Sequence, residues 1–144
     1  MLVRHVLDAR GRQVISVRPE APVKQAVRLF VIHGIGSVPV VDPSGTLIGI
    51  FTQRDVLYGD FGDSEQFHRR LIGEVMTRDP ITCSPDAPVS EVMDEMSHHR
   101  VGQLPVIDNG VLIGLVSVGD LIKSLYDELE TENQHLTAYI HGPR

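Results

Sequence analysis

The stretch PVKQAVRLFVIHGIGSVPVVDPSGTLIGIFTQRDVL (Pro22–Leu57) is echoed later in the chain by PVSEVMDEMSHHRVGQLPVIDNGVLIGLVSVGDLI (Pro88–Ile122). Prolines, histidines, glycines and aspartates recur in the same order and at the same spacing, with one residue dropped at a turn. Such an internal repeat decides the architecture before any other signal. Two copies are too few for a solenoid, so we expect a body with pseudo-two-fold symmetry, a shared core and a ligand-binding cleft at its seam.

Each copy predicts the element order β-α-β-β-α, which places the chain in the α+β class. A helix begins at Pro22 or Pro88, where a missing N–H costs nothing, and a second helix begins near Thr52 or Ser117. The predicted strands are 14–17, 38–41 and 47–51 in the first copy and 81–83, 104–107 and 111–116 in the second. The apolar helix faces are Val23, Ala26, Val27 and Phe30, and Val89, Val92, Met93 and Met96.

The repeat also predicts how the chain is divided. We expect a first domain with its lead-in at 1–60, a polar linker at 61–73, a second domain at 74–126 and a C-terminal helical extension at 127–144. The apolar stripe of that extension is sparse. It is typical either of a fraying amphipathic terminus or of a helix that packs on a partner subunit.

Charge and composition exclude several classes of function. The 144 residues carry a formal net charge of −6, which argues against a nucleic-acid or anionic-membrane partner. The single cysteine, Cys83, allows no intrachain disulfide and fits a reducing compartment. Because the sequence shows neither a signal-peptide core nor a run of roughly 18 apolar residues, we expect a cytoplasmic protein.

A hydroxyl with an aspartate three residues later marks the start of both second helices, as Thr52 with Asp55 and as Ser117 with Asp120. One interpretation is a capping box, in which hydroxyl and carboxylate satisfy free helix N–H groups. The other is a ligand site, because a helix N-terminus attracts phosphate and a carboxylate can accept both hydrogens of a ribose cis-diol. Since aspartate repels phosphate, this second interpretation places sugar at the aspartate and phosphate near the hydroxyl.

Two further features recur. The segments Gly36–Pro39 and Gly102–Pro105 each place a proline in a predicted strand, which belongs at a sheet edge or a bulge. Their edge backbone can meet a purine ring, although a plain helix-to-strand turn explains either copy taken alone. A hydroxyl also precedes the first proline of each copy, at Ser16 and at Thr82.

Together these motifs resemble a tandem pair of CBS domains, the Bateman module. The resemblance rests on h-S/T-x-x-Pro, G-h-x-x-h-P-V-h-D and G-h-h-S/T-x-x-D, in that order and twice over, and covers Val3 to Ile122. It implies two βαββα repeats packed through their sheets with pseudo-two-fold symmetry. It also implies clefts that bind an adenine nucleotide such as AMP, ADP or ATP, or S-adenosylmethionine or NAD, and a homodimer shaped as a flat disc of four domains.

Carried over by position, the resemblance implies a role for each recurring residue. The implied ribose ligands are Asp55 and Asp120. The implied phosphate contacts are Thr52 and Ser117, with Ser16 and Thr82 adding phosphate or ribose contacts. The residues implied to flank the base are Gly36, Val38 and Pro39 from the first copy, and Gly102, Leu104 and Pro105 from the second.

The two expected sites are unequal. Arg54 precedes Asp55 where the second copy has Gly119, and Arg100 occupies the position of Gly34. Arginine can donate two hydrogen bonds to phosphate oxygens, so the sites differ in a candidate anion clamp. Whether both sites bind, and which phosphate count each prefers, stays open at this point.

Little in the sequence indicates catalysis or a resident metal. His33 and His99 are repeat-equivalent, but no His or Cys cluster has metal-ligand spacing, and a histidine near a helix C-terminus also meets free carbonyls. Cys83 has no assigned base to activate it, so we interpret it as a buried structural thiol.

The sequence therefore favours a non-catalytic, nucleotide-sensing module. Ligand at the seam would bias the angle between repeats or subunits, and an unidentified regulated protein would respond to that angle. A structural dimerisation module with vestigial clefts is the alternative. A small hydrolase that uses Asp55 or Asp120 with a histidine lacks a nucleophile motif, and a nucleic-acid adaptor is disfavoured by the negative charge.

Overall fold

Each copy of the repeat folds into an antiparallel hairpin with one helix before it and one after it. The structure is a computed structural model that describes residues 1–11 and 13–141, with 138–141 described as backbone only. The helices are α1 (Val3–Arg10), α2 (Val23–His33), α3 (Gln53–Gly59), α4 (Ser64–Arg69), α5 (Ile72–Val75), α6 (Val89–His99) and α7 (Val118–His141). The strands are β1 (Ser37–Val41), β2 (Leu47–Thr52), β3 (Thr77–Arg78), β4 (Gln103–Asp108) and β5 (Val111–Ser117).

The two hairpins match in fine detail. β1 pairs with β2 and β4 pairs with β5, and the register shifts at repeat-equivalent places, after Val40 and after Val106. At the second hairpin turn Asn109 and Gly110 have φ values of 50° and 79°. Positive φ at both central residues is what a tight hairpin turn requires, and an Asn-Gly pair adopts it readily.

The strands predicted at 14–17 and 81–83 are reduced to single bridges. Val17 pairs in parallel with Val40, and Cys83 pairs in parallel with Val106. Each bridge uses the outer edge of a hairpin and holds it with two backbone hydrogen bonds, for example Val17 N–H to Pro39 O at 3.0 Å. The segments are extended, as predicted, but each forms only one bridge pair.

The predicted apolar helix faces are confirmed. Val23, Ala26 and Phe30 of α2 are buried, as are Val89, Val92 and Met96 of α6, and Val27 and Met93 pack at the margins. Each face packs on its own hairpin. In the first half the Phe30 and Phe51 rings are stacked with centroids 6.1 Å apart.

Each half completes its core with the segment that leads into the other half. Val3, Val6 and Leu7 of α1 are buried in the core of the second half, and Ile72 of α5 is buried in the core of the first. Backbone hydrogen bonds fix both crossings. They are Val3 N–H to Ala87 O and Val89 N–H to Met1 O, and Ile72 N–H to Ala21 O and Val23 N–H to Arg70 O.

The polar segment predicted as a linker, 61–73, takes part in the first core. It contains α4 and the beginning of α5, and Phe67 within it is 4% exposed. The Phe67 ring packs over Gly59 so closely that a Cβ there would lie 2.2 Å from a ring carbon. Further along, α7 runs without a break across position 127, where we expect the C-terminal extension to begin.

We call the segments that lead into the two halves the lead-ins: α1 leads into the first half and α5 into the second. These two helices differ in length. α5 ends at Val75, and the chain then forms β3, which pairs with β2 and gives the first half a three-stranded sheet. α1 continues to Arg10, and β4 and β5 form a two-stranded sheet. Up to Met76 and Leu7 the two lead-ins pack in the same way. A Cβ on Gly49 would lie 2.6 Å from Met76, and a Cβ on the equivalent Gly114 would lie 2.6 Å from Leu7. Among the described residues, no helix combines the length and the apolar character needed to span a membrane.

The exchanged lead-in should carry a large share of the stability of the second half. Leu7→Ala should lower the free energy of unfolding by about 2–5 kcal/mol, because it leaves a cavity between α1 and β5. Chemical denaturation followed by circular dichroism measures this change. Val111→Ala, at a residue that is 59% exposed, is the control and should change stability by no more than about 0.5 kcal/mol. Equal losses of stability in the two variants would contradict the burial of Leu7 in the core of the second half.

Candidate functional site

A cleft of about 410 Å³ lies at the seam between the halves, and we name it cleft 1. Its first wall is the β2–α3 junction of the first half, with Ile50, Thr52, Arg54 and Asp55. Its second wall is the helix-to-strand turn of the second half, residues 100–105, and the chain at 77–81 completes the lining. Cleft 1 therefore combines the acid-bearing junction of one repeat with the predicted base-flanking segment of the other.

A smaller cleft of about 280 Å³, cleft 2, occupies the equivalent place on the other side of the seam. It joins the β5–α7 junction, with Leu115, Ser117 and Asp120, to residues 34–37 of the first half. Arg10, at the end of α1, also lines cleft 2. Gln103 lines both clefts.

Both hydroxyl and aspartate pairs form the capping box. Thr52 Oγ1 accepts the Asp55 N–H at 3.1 Å, and Asp55 Oδ2 accepts the Thr52 N–H at 2.9 Å. Ser117 and Asp120 make the same two bonds, each at 3.1 Å. The cap holds each carboxylate in a single orientation at the edge of its cleft, so the structural and the ligand-binding interpretations of these residues are compatible.

The carboxylates differ in their remaining partners. Thr77 Oγ1 donates to Asp55 Oδ1 at 3.1 Å, which is a contact between a neutral hydroxyl and a carboxylate. Arg10 Nη1 donates to Asp120 Oδ2 at 2.9 Å, which forms an ion pair. Asp120 is therefore paired with a cation, whereas no ion pair to Asp55 is found among the described residues.

Both arginines that distinguish the two copies line cleft 1. Arg54 enters from the first half and Arg100 from the second, since each cleft takes one wall from each repeat. Within the described part of the chain neither guanidinium donates to another protein group. From the sequence we expected these two arginines to belong to different sites. The structure instead brings both of them to cleft 1.

Positive charge in cleft 1 has to come from these side chains rather than from a helix end. α3 is only seven residues long, so its N-terminus, which the sequence indicated as an anion site, contributes little dipole. A guanidinium is always charged and donates in a planar fork that matches phosphate oxygens.

Arg100 is held in a costly backbone conformation. It caps α6 with φ 55° and ψ 43°, in the left-handed region, where the equivalent cap of α2 is Gly34 with φ 62° and ψ 38°. A residue with a Cβ pays about 1–2 kcal/mol for this conformation. Glycine would avoid that strain, so the arginine is retained at a cost to stability, as is common at binding sites.

The rest of the cleft 1 surface is largely apolar. Ile50, Val101, Leu104 and Pro105 lie along it, with Gly102 between them. Open space surrounds Gly102, since a Cβ built there would meet nothing within 4 Å. The apolar surface and the gap at Gly102 leave room for a flat ring.

Other predicted site residues lie elsewhere. Ser16 is exposed and does not line either cleft, and Thr82 faces a shallow depression beside Cys83 and Glu91. Val38 is 0% exposed in the first core, and Pro39 is buried beside it in β1. Neither lines cleft 2, which Gly36 reaches through its backbone.

Among the lining residues that sequence reasoning missed, the polar ones are Arg10, Thr77, Asp79, Gln103 and Ser37. The first three belong to lead-in segments, which the repeat alignment leaves outside its motifs. The crossing of the lead-ins is the signal that would have found them. Gln103 and its repeat equivalent Ser37 directly follow the recurring glycines. Because glutamine and serine differ, comparison of the two copies did not single them out.

Histidines and the cysteine lie apart from the clefts. His99 Nε2 is 3.3 Å from Glu95 Oε2 on the exposed side of α6, and no described group of three His, Cys, Asp or Glu side chains could hold a metal ion. Burial raises the pKa of the Cys83 thiol to about 11, which keeps it protonated and unreactive at neutral pH.

Comparison with known proteins identifies the family. The model of the CBS domain matches residues 4–60 and 72–127, so the chain belongs to the CBS-domain family and consists of two such repeats. It is 39% identical over 111 residues to inosine-5'-monophosphate dehydrogenase of Korarchaeum cryptofilum, an alignment covering 76% of this chain. The chain spans only 22% of that relative's length.

Solved structures agree with this assignment. The CBS-domain containing protein ATU1752 from Agrobacterium tumefaciens superposes with a TM-score of 0.82 at 31% identity, over 86% of this chain and 98% of that one. The CBS domain pair of protein MJ0100, solved in complex with 5'-methylthioadenosine and S-adenosyl-L-methionine, gives a TM-score of 0.78 at 27% identity, over 89% and 98%. Both the predicted family and the α+β pair of repeats are thereby confirmed.

Proposed function

We propose that the chain is a non-catalytic regulatory module that binds an adenine nucleotide in cleft 1 and signals the bound state to a partner protein. The observation that carries the proposal is the meeting, in one cleft, of the Asp55 carboxylate, two guanidinium groups that have no partner among the described residues, and an apolar wall. These features suit the ribose, the phosphate and the purine of such a ligand. The volume of about 410 Å³ is in the range of small-molecule sites.

The ligand would lie across the seam. The purine packs on Val101, Leu104 and Pro105, and the Asp55 carboxylate accepts the ribose hydroxyls through the oxygen not used by the cap. The phosphate meets Arg54 and Arg100. This arrangement keeps the negative phosphate at the two guanidinium groups and the ribose at the Asp55 carboxylate.

Such a ligand would act on the relation between the two halves. Because it contacts the β2–α3 junction of one half and the start of β4 in the other, it stabilises one relative arrangement of the two. A partner that binds that arrangement better then responds to the ligand. The complex of the MJ0100 domain pair with two adenosyl compounds supports an adenosyl ligand here.

A homodimer is the second part of the proposal. Exposed apolar residues recur at repeat-equivalent positions on or just after α3 and on α7: Leu57 with Ile122, and Phe61 with Tyr126, all more than half exposed. A surface with its own pseudo-two-fold symmetry suits a second copy of the chain, since a two-fold interface applies the same patch twice. The stripe continues along α7 through Leu129 and Leu136, each 58% exposed.

Adenosyl ligands should raise the melting temperature of the wild-type chain. Among AMP, ADP, ATP, S-adenosylmethionine and NAD, a ligand at a hundred times its Kd adds about 2.7 kcal/mol, a shift of several degrees at this size. Asp55→Ala should abolish the shift, because the ribose loses its acceptor. Differential scanning fluorimetry measures both proteins, each against its own ligand-free melting temperature, since loss of the cap alone costs about 0.5–2 kcal/mol.

Asp63→Ala is the matched control for this test. Asp63 caps α4, where its Oδ1 accepts the Gln66 N–H at 3.0 Å, and it lies outside both clefts. Its loss should lower stability to a similar extent and leave the ligand shift unchanged. A full shift in Asp55→Ala would contradict the ribose assignment. No shift with any ligand in the wild type would favour the dimerisation module with vestigial clefts.

Arg100→Gly should stabilise the protein and weaken AMP binding at the same time. Removing the left-handed strain adds up to about 1 kcal/mol, less the extra entropy of glycine in the unfolded chain. Loss of a charged hydrogen bond to phosphate lowers the affinity for AMP by about tenfold and leaves the affinity for adenosine unchanged. Denaturation and calorimetry measure the two effects. Asn109→Gly, at φ 50° in the hairpin turn, controls for the backbone change, and unaltered AMP affinity in Arg100→Gly would refute the phosphate contact.

Ile122→Glu should convert a dimer into a monomer. A carboxylate in the centre of the apolar helix surface has no partner there, so its burial is unfavourable. Light scattering coupled to size-exclusion chromatography measures the mass. Val111→Glu, at an equally exposed apolar residue in the β4–β5 hairpin, should leave the mass unchanged. A monomeric wild-type chain, or a dimeric Ile122→Glu variant, would contradict the proposed interface.

A further inference from the structure

We infer that Arg10 closes cleft 2 to adenosyl ligands, so that the chain binds one such ligand, in cleft 1, instead of two. This inference rests on the function proposed above and specifies which of two equivalent sites is open. It follows from what Arg10 contacts, from what contacts the equivalent aspartate in cleft 1, and from a buried polar group that cleft 2 leaves unused.

Arg10 contacts two features of cleft 2 that a ligand would use. Its Nη1 donates at 2.9 Å to Asp120 Oδ2, the oxygen that also accepts the Ser117 N–H of the cap, and it donates to the backbone oxygen of Leu115. Asp120 is the equivalent of the ribose-binding Asp55. Leu115 is the equivalent of Ile50, which belongs to the apolar surface of cleft 1. The guanidinium therefore lies between the acid and the strand on which a nucleoside would rest.

The aspartate of cleft 1 has a much smaller partner from its own lead-in segment. Thr77 directly follows Met76, the residue that packs as Leu7 does in the other half. The Thr77 hydroxyl donates to Asp55 Oδ1 at 3.1 Å. A threonine leaves the charge of the carboxylate in place, and its hydroxyl can rotate toward a ligand oxygen. A guanidinium cancels that charge and, as a pure donor, has nothing to offer ribose hydrogens.

The difference originates in the lengths of the two lead-ins. After Met76 the chain turns into β3, which directs Thr77 to the edge of cleft 1. After Leu7 the helix continues through Arg10, and this added turn carries the guanidinium into cleft 2. The volumes agree with a partly filled site, at about 280 Å³ for cleft 2 and about 410 Å³ for cleft 1.

Cleft 2 nevertheless retains a polar group built for a ligand. Ser37 lines it, is 1% exposed, and its Oγ has no hydrogen-bond partner among the described residues. Buried polar groups are nearly always hydrogen-bonded, because an unsatisfied one is unfavourable. A free hydroxyl beside an occupied carboxylate indicates a ligand site that is closed, not a surface without such a role.

Isothermal titration of AMP tests the inference through stoichiometry. The wild type should bind one AMP per chain and Asp55→Ala should bind none. Arg10→Ala should bind two, and the double variant Arg10→Ala with Asp55→Ala should bind one, because only cleft 2 is then usable. Loss of the Arg10 contacts should raise the affinity of cleft 2 by about tenfold or more. Arg10→Gln keeps the aliphatic stem of the side chain and removes the charge. It should behave like Arg10→Ala, which shows that lost packing of the stem is not the cause.

Arg4→Ala is the matched control. Arg4 is also on α1 and also pairs with an aspartate, Asp86, at 2.6 Å, but lies outside both clefts. It should leave the stoichiometry at one. One AMP per chain in both Arg10 variants would overturn the inference, as would a second site in the wild type that Asp120→Ala removes. A wild type that binds no AMP would refute the proposed function at cleft 1, and Arg10→Ala would then decide the inference alone: AMP binding that Asp120→Ala removes supports it, and no binding overturns it.

Discussion

Each half of this molecule depends on the other for part of its own core. Leu7 and its neighbours in α1 fill the second core, while Phe67 and Ile72 fill the first. Pulling the halves apart would expose both sets of apolar side chains and break the backbone hydrogen bonds at both crossings. This exchange sets the relative position of the two hairpins, and both clefts exist only because that position is maintained. A ligand at the seam, as proposed above, would act on this arrangement.

The crossed geometry also determines how sequence differences between the repeats combine. Each cleft is built from both repeats, since its aspartate comes from one half and its helix-to-strand turn from the other. Arg54 and Arg100 therefore meet in cleft 1, although they lie in different copies. Cleft 2 is lined by Gly34 at the position of Arg100, and the residue equivalent to Arg54 is Gly119, which has no side chain to offer. The positive charge in cleft 2 comes instead from Arg10, outside the repeat motifs. The molecule has diverged into one open cleft and one internally neutralised cleft.

The parts of the fold that depend on local pattern could be predicted from the sequence. The amphipathic helices, the two hairpins and the Asn109-Gly110 turn all follow from spacing and turn chemistry, and repetition doubled each signal. The exchange of lead-ins could not be predicted, because Val6 and Leu7 show only that they are apolar, and not which core they enter. Phe67 was missed for a related reason, since a single aromatic in a polar segment has no periodicity. In the candidate site the caps were predictable from Thr52 and Ser117, whereas Arg10 and Thr77 required the three-dimensional crossing.

Gln103 connects the two clefts directly. It begins β4 and borders both sites, and its Nε2 would lie 3.3 Å from a Cβ placed on Gly36 in the opposite half. Under the proposed function, a purine packed on Leu104 and Pro105 would restrain Gln103, the residue that also forms a wall of cleft 2. Because linkage is reciprocal, any restraint that binding in cleft 1 places on cleft 2 acts equally in the other direction.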